Sequence, residues 1–241
     1  MQIELKKTAF FQQAIGAISS FINEGNFRFN NQGLFFKAID PSQVALVDYF
    51  VDKKLFDKFE VEPSFVGLDL IEFNKILQRA LPNDSLSMEL TDSELAIKLE
   101  GDLVRSFHMP LIDINEEEIN IPKPNFEAMV QVNGRAFKEI LKDAALFGSS
   151  IVFKIKNNSF HVEARGNNGI LRTVAKEAKL VSVKSSSDIT AKYSLNFLQS
   201  IVKEADNEKK ISLELKTDAP MKISYNVGDT TIQFYLAHMI L

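Results

Sequence analysis

The chain has no cysteine and no tryptophan, and only three histidines in 241 residues. Without cysteine there is no disulfide framework, no thiolate metal site and no cysteine nucleophile. A cytosolic or nuclear protein is expected on that ground rather than a secreted one. Long apolar runs are missing as well. No stretch approaches the roughly 18 residues of a membrane span, and Met1 to Lys7 lacks the basic-then-apolar pattern of a secretory leader. Nor is there an excess of positive charge: the formal net charge is -4, which disfavours a nucleic-acid binder that works by overall charge.

Catalytic signatures are equally scarce. His108 and His161 sit in alternating strand-like runs with no carboxylate or histidine at ligand spacing, and no Gly-x-Ser-x-Gly elbow is present. Gly166-Asn167-Asn168-Gly169 reads as a hairpin turn, because a phosphate loop needs a following lysine and helix. The acidic run Glu116-Glu117-Glu118 would point its carboxylates in alternating directions on an extended chain, which converges poorly on one cation. No enzyme activity, cofactor or metal site is expected.

What is present is a duplication. Asp69 to Leu77 aligns with Ser194 to Val202 at an offset of about 125 residues, and Ser85 to Leu90 aligns with Lys210 to Leu215 at the same offset. Phe11 to Ile15 lies over Phe137 to Leu141 at 126. With 45% hydrophobic residues and 20 phenylalanines the chain can fill two modest cores.

The spacing of apolar positions predicts helices over 9–22, after Asp69 as N-cap, over 135–147 and over 194–204. Alternating runs predict strands over 27–29, 33–39, 44–51, 85–91, 94–100, 103–111, 151–156, 159–165, 169–178, 210–216, 220–227 and 231–237. Helices separated by runs of consecutive strands indicate an antiparallel α+β fold, in two like domains spanning 1–111 and 127–241. Residues 112–126 read as an extended connector with two prolines, yet they carry Ile119, Ile121 and Phe126, which a wholly solvated linker does not need.

In this order, Lys37-Ala38-Ile39-Asp40-Pro41-Ser42-Gln43-Val44-Ala45-Leu46-Val47, the connector ending Ile119-Asn120-Ile121-Pro122, and Ala219-Pro220-Met221-Lys222-Ile223-Ser224-Tyr225 before Phe234-Tyr235-Leu236-Ala237 resemble the proliferating cell nuclear antigen family. The resemblance covers essentially the whole chain. It implies DNA-clamp domains with antiparallel sheets outside and two helices per domain lining a ring. Three chains would join head to tail, Arg105 to Leu111 of one beside Ile170 to Ala175 of the next, around double-stranded DNA held without regard to sequence. Such a ring acts as a processivity factor in replication and repair, in the cytoplasm of an archaeon or the nucleus of a eukaryote.

The resemblance also implies sites. Lys75, Arg79, Lys138, Lys142 and Lys203 would face DNA. Ile39, Gln43, Val44, Leu46, Ile119, Ile121, Pro122, Phe126, Pro220, Tyr235 and Ala237 would form the pocket for a short peptide carried by partners: DNA polymerase, clamp loader, flap endonuclease and ligase. Two departures stand out: the first helix has no lysine or arginine, with Gln12, Gln13 and Ser19 instead, and His238 replaces the usual proline. The uncharged helix motivates an alternative, one subunit of a heterotrimeric or checkpoint-type ring. A metal-dependent nuclease using the connector carboxylates is a further one.

Overall fold

A computed structural model describes residues 1–91, 93–114, 119–121, 124–175 and 178–241. The first half runs β1 (Gln2–Leu5), α1 (Ala9–Ile18), β2 (Glu24–Asn30), β3 (Gly33–Ile39), β4 (Ala45–Asp52), β5 (Lys58–Glu60), β6 (Ser64–Asp69), α2 (Leu70–Leu77), β7 (Ser85–Leu90), β8 (Glu94–Glu100) and β9 (Val104–Pro110). The second half repeats the order: β10 (Ala128–Asn133), α3 (Gly134–Ala145), β11 (Ser150–Lys156), β12 (Ser159–Gly166), β13 (Gly169–Ala175), β14 (Val181–Ser185), β15 (Ile189–Ser194), α4 (Leu195–Val202), β16 (Lys210–Leu215), β17 (Met221–Val227) and β18 (Thr230–Leu236). The fold is α+β with antiparallel pairing, as expected from the alternation of strand runs and single helices.

The repeat extends to the pairing. β5-β1-β7-β8-β9 in the first half corresponds strand for strand to β14-β10-β16-β17-β18 in the second, and β4-β3-β2-β6 corresponds to β13-β12-β11-β15. Two compact units result: Met1–Ile39, Val47–Ile119 and Val227–Ile232 form one, and Asp40–Leu46, Asn120–Asn226 and Gln233–Leu241 form the other. β4 and β18 therefore each give residues to both units.

Aromatic side chains fill each core at matching positions. In the first unit Phe27 packs on Phe36 and Phe73, with centroids 4.8 and 5.8 Å apart, and Phe11 meets Phe73 edge-on at 6.1 Å. In the second, Phe153 stands at the repeat position of Phe27 and contacts Phe137, Phe160 and Tyr193 at 6.1, 5.1 and 5.8 Å. Each such ring, fully buried, contributes about 1.5–3 kcal/mol relative to exposure, and the buried phenylalanines divide between the two cores.

Helix limits follow local chemistry. The Asp69 carboxylate accepts from the backbone N–H of Ile71 and Glu72 at 2.9 and 3.0 Å, capping α2 as expected. α1 ends at Ile18, short of the expected 22, because the Ser19 and Ser20 hydroxyls donate back to the carbonyls of Gly16 and Ala17, competing with further helical bonds. Gly166 and Gly169 face each other at the β12–β13 turn, where Gly169 takes a φ of +136° that a side chain would strain. No helix among the described residues is long and apolar enough to cross a membrane.

Candidate functional site

The basic residues separate into three kinds of environment. Lys75 and Lys142 lie exposed on α2 and α3, each paired with a carboxylate one turn back, Glu72 at 2.6 Å and Glu139 at 2.7 Å. The Glu72 pairing raises the Lys75 ammonium above its ordinary pKa. Exposed pairs of this kind are worth little, so phosphates can displace them. Arg79, just past α2, and Lys203, the C-cap of α4, are exposed.

Lys138 differs. Its ammonium donates to the carbonyls of Lys203 and Ala205 at 3.0 and 2.6 Å and to the Asn207 side chain at 3.0 Å. All three donors of the group are thereby engaged. Burial against the end of α4 lowers its pKa, although Glu204 and Asp206 oppose the shift. Lys138 joins α3 to the C-terminal end of α4, where unsatisfied carbonyls favour a cation.

The same device occurs in the first unit with another residue. Gln12 occupies the repeat position of Lys138, and its side-chain amide donates to the Leu77 carbonyl at the end of α2, at 2.6 Å. The missing lysine in α1 is thus, at this position, a change of helix clamp. Beyond Gln12, α1 still presents no charge: its polar side chains are Gln12 and Gln13, and both are half-buried.

An arginine ties the end of α2 to an edge strand. Arg105 on β9 donates to the Arg79 carbonyl at 2.7 Å and pairs with the buried carboxylate of Asp84, which also accepts from the Leu81 backbone at 2.8 Å. Sequence inspection did not single out this pair. Its one legible signal was an arginine inside an alternating strand.

β9 and β13, seven residues each, lie at the ends of their sheets. Apolar side chains on both are open to solvent, with Val104 60%, Ile170 45% and Val174 51% exposed. Uncovered edges of this length invite pairing with another strand.

The expected peptide site divides. In the second unit, one corner is tightly organised. Asp40 is buried and accepts from the backbone N–H of Ser42, Val44 and Ala45 at 2.8, 2.7 and 2.6 Å, and from the Ser42 hydroxyl. Burial alone would raise this carboxyl, but the hydrogen bonds outweigh it and hold the group below its ordinary value. The turn brings Gln43 to a φ of +59° with its side chain exposed.

The Val44 carbonyl then accepts from the Ala237 N–H at 2.8 Å, and the β17–β18 hairpin returns Pro220 to the same end of the sheet. Tyr193 donates to the Ala219 carbonyl at 3.0 Å, fixing the approach to Pro220. Val44, Leu46, Pro220, Tyr235 and Ala237 all fall on the strand face opposite the core residues Ala45, Val47, Ile223, Phe234 and Leu236. Leu46 and Tyr235 are nevertheless buried, at 4% and 8% exposure. Their parity sets Leu46 and Tyr235 on the side of the sheet away from Ala45, Val47, Phe234 and Leu236, where they are packed against other groups.

Ile119 and Ile121 are half-buried on an irregular stretch, and Ile39 is exposed at the end of β3. Phe126 leads into β10, which stands three strands from β18, or about 14 Å along the sheet. It lines a shallow open groove with Met129, Lys184 and Glu214 instead. Pro122 and Glu116 to Glu118 lie outside the described residues, so the nuclease alternative has no described site. Exposed His238 precedes a tail whose Met239 N–H donates to the Lys192 carbonyl at 2.7 Å.

A duplicated α+β unit with paired helices, open edge strands and an apolar corner outside the core defines the clamp class of protein. Comparison with known proteins agrees. The N-terminal domain model of proliferating cell nuclear antigen matches residues 1–118 and the C-terminal domain model matches 120–240. The chain is 32% identical over 223 residues, 91% of its length and 90% of the relative's, to DNA polymerase sliding clamp 1 of Thermococcus kodakarensis. It is 31% identical to the DNA polymerase sliding clamp of Thermofilum pendens, with 92% of each covered. A crystal structure of PCNA from Thermococcus kodakaraensis superposes with a TM-score of 0.93 at 28% identity, covering 99% of both chains. The chain belongs to the proliferating cell nuclear antigen family and is a DNA sliding clamp.

Proposed function

We propose that three copies close head to tail into a ring that encircles duplex DNA and holds replication and repair enzymes to it, breaking no bond itself. One observation carries the ring. β4 and β18 are hydrogen-bonded neighbours, and they occupy the repeat positions of β13 and β9, which end their sheets. Joining β9 of one copy to β13 of the next repeats a pairing the chain already makes, and an interface between unlike surfaces closes when its rotation does. The two clamp domains are then 1–111 and 127–241, with 112–126 between them.

Lys75, Arg79, Lys142 and Lys203 supply loose, additive phosphate contacts, repeated in each copy. Lys138 holds the helix pair that presents two of them. The corner formed by Val44, Leu46, Pro220, Tyr235 and Ala237, with Gln43 at its rim, receives the aromatic and aliphatic anchors of a partner peptide, and the resemblance adds Ile39, Ile119, Ile121 and Pro122 to the residues expected to touch it. Polymerase, clamp loader, flap endonuclease and ligase are the expected carriers, in the cytoplasm as for an archaeal clamp.

Retention of the purified chain on nicked circular DNA, and its loss when the circle is cut, tests the ring. A mixed ring is the second reading, favoured by the uncharged surface of α1. It predicts that retention needs additional, more basic subunits.

A further inference from the structure

The four-stranded sheet of the second unit concentrates positive charge on one face. Phe153, Ile155, Phe160, Val162 and Tyr193 turn into the core, so the alternate residues of these strands turn away from it. On that outer side stand Lys192 on β15, Lys154 and Lys156 on β11, Arg165 on β12 and Arg172 on β13. Glu163 is the carboxylate among them, and Asp188 adds another at the margin, just before β15. Lys154 pairs with Glu163 at 2.8 Å and Arg172 approaches it at 3.9 Å. The Lys154 hydrogen bond, with the charges of Lys154, Arg172 and Arg165, holds the Glu163 carboxyl below its ordinary value against the opposing effect of burial. Five cations against two carboxylates make a local surplus on a chain whose formal net charge is -4. The fold does not demand it: the repeat positions of Lys156, Arg165 and Lys192 in the first unit hold Asn30, Ile39 and Gly67.

We propose that this face binds the phosphate backbone of duplex DNA lying outside the ring. The remaining outward side chains of β15, β11 and β12 are Thr190, Ser194, Ser150, Val152, Ser159 and His161. Cations and hydroxyls are the groups that contact phosphates. A docked protein segment needs apolar or aromatic anchors, and in this set only Val152 is aliphatic. Single strands that stack their bases need aromatic platforms, and in this set only His161 carries a ring. Charge and composition together therefore select a duplex backbone over an acidic peptide or an unpaired strand.

The dimensions agree. Lys192 and Arg172 share a row across the sheet, three strands or about 14 Å apart. Lys156 stands opposite Ser159, and Arg165 lies six residues farther along β12, or about 20 Å. At 3.4 Å per nucleotide, one DNA strand passes about six phosphates over that length. The proposal rests on the reading of the chain as a DNA clamp, but uses none of the helix lysines assigned to the hole.

The test is a gel shift of the full chain with a covalently closed DNA circle, without a clamp loader, at about 50 mM salt. A closed circle does not thread a closed ring, so binding reports on the outer surface. Saturable binding that weakens with salt is expected. Lys156→Gln with Arg165→Gln should weaken it about tenfold and lower the logarithmic salt slope by about 1.8, two contacts of about 0.9 each. Lys156→Arg with Arg165→Lys, which keeps both charges, should retain it, as should Lys75→Gln with Lys142→Gln. No shift at low salt overturns the proposal. So does equal binding by the first variant and the wild type, or loss confined to the helix variant. Displacement of the circle by a glutamate-rich peptide at equal charge concentration overturns it in favour of an acidic protein segment. Retention on nicked circles, measured alongside and expected to survive Lys156→Gln with Arg165→Gln, reports separately on the ring.

Discussion

Replacing Lys138 separates a structural lysine from a DNA-binding one. Lys138→Ala removes three hydrogen bonds of 2.6–3.0 Å from the end of α4. A bond from a charged donor is worth about 1.5–3 kcal/mol, but the contacts to Lys203 and Asn207 are solvent-exposed and water recovers much of their loss. The net cost should be about 2 kcal/mol, or about 4–8 °C in melting temperature at the size of this chain. Lys138→Gln restores the bond that Gln12 makes at the matching place in the first unit and should recover about half of that loss.

Retention on nicked circles as a function of salt supplies the second readout. Each phosphate contact removed lowers the logarithmic salt slope by about 0.9, so Lys142→Gln should flatten it, and Lys138→Gln should leave it as in the wild type. If Lys138→Gln flattens the slope as Lys142→Gln does, the ammonium reaches DNA in the assembled ring. The reasoning from its three bonds is then wrong.

Other perturbations check separate parts of the account. The Asp40 carboxyl is held below its ordinary pKa in the folded chain, so its stabilisation is complete above the unfolded value of about 3.9 and is lost as pH falls through the folded one. Asp40→Asn should lower the melting temperature at pH 7 and shrink the fall in stability below pH 4, read by thermal melts across that range. Gln43→Gly relieves a left-handed backbone but adds conformational freedom to the unfolded chain, and the two effects oppose each other. It should leave stability nearly unchanged while weakening anchor-peptide binding, and unchanged affinity removes Gln43 from the rim. Ile121→Ala with Tyr235→Ala should weaken that peptide by about thirtyfold, the loss of one buried hot spot, without altering the mass of the assembly.

The sequence showed the repeat because helix faces keep a strict apolar period, and α2, α3 and α4 were found within a few residues of their limits. Several strands were missed for a common reason. β1 has four residues and β5 three, too short for an alternation to stand out, while the serine-rich turn at 185–187 interrupts the pattern between β14 and β15. Their places come from pairing with partners far along the chain, as β1 does with β7.

Among candidate sites, Val44, Leu46 and Tyr235 were legible as apolar, but only strand parity assigns them to the outer face. Lys138 read as one more exposed helix lysine, because sequence does not show that the end of α4 lies within its reach. Phe126 belonged to the connector in sequence and stands apart from the corner in space for the corresponding reason: two strands of sheet, β16 and β17, intervene between β10 and β18.

The central claim is closure of β9 on β13 between copies of one chain. Light scattering of the purified chain at micromolar concentration tests it most directly. The account predicts a mass three times 27.2 kDa. A single-chain mass, rising to that of a trimer only when different clamp subunits are added, would contradict it.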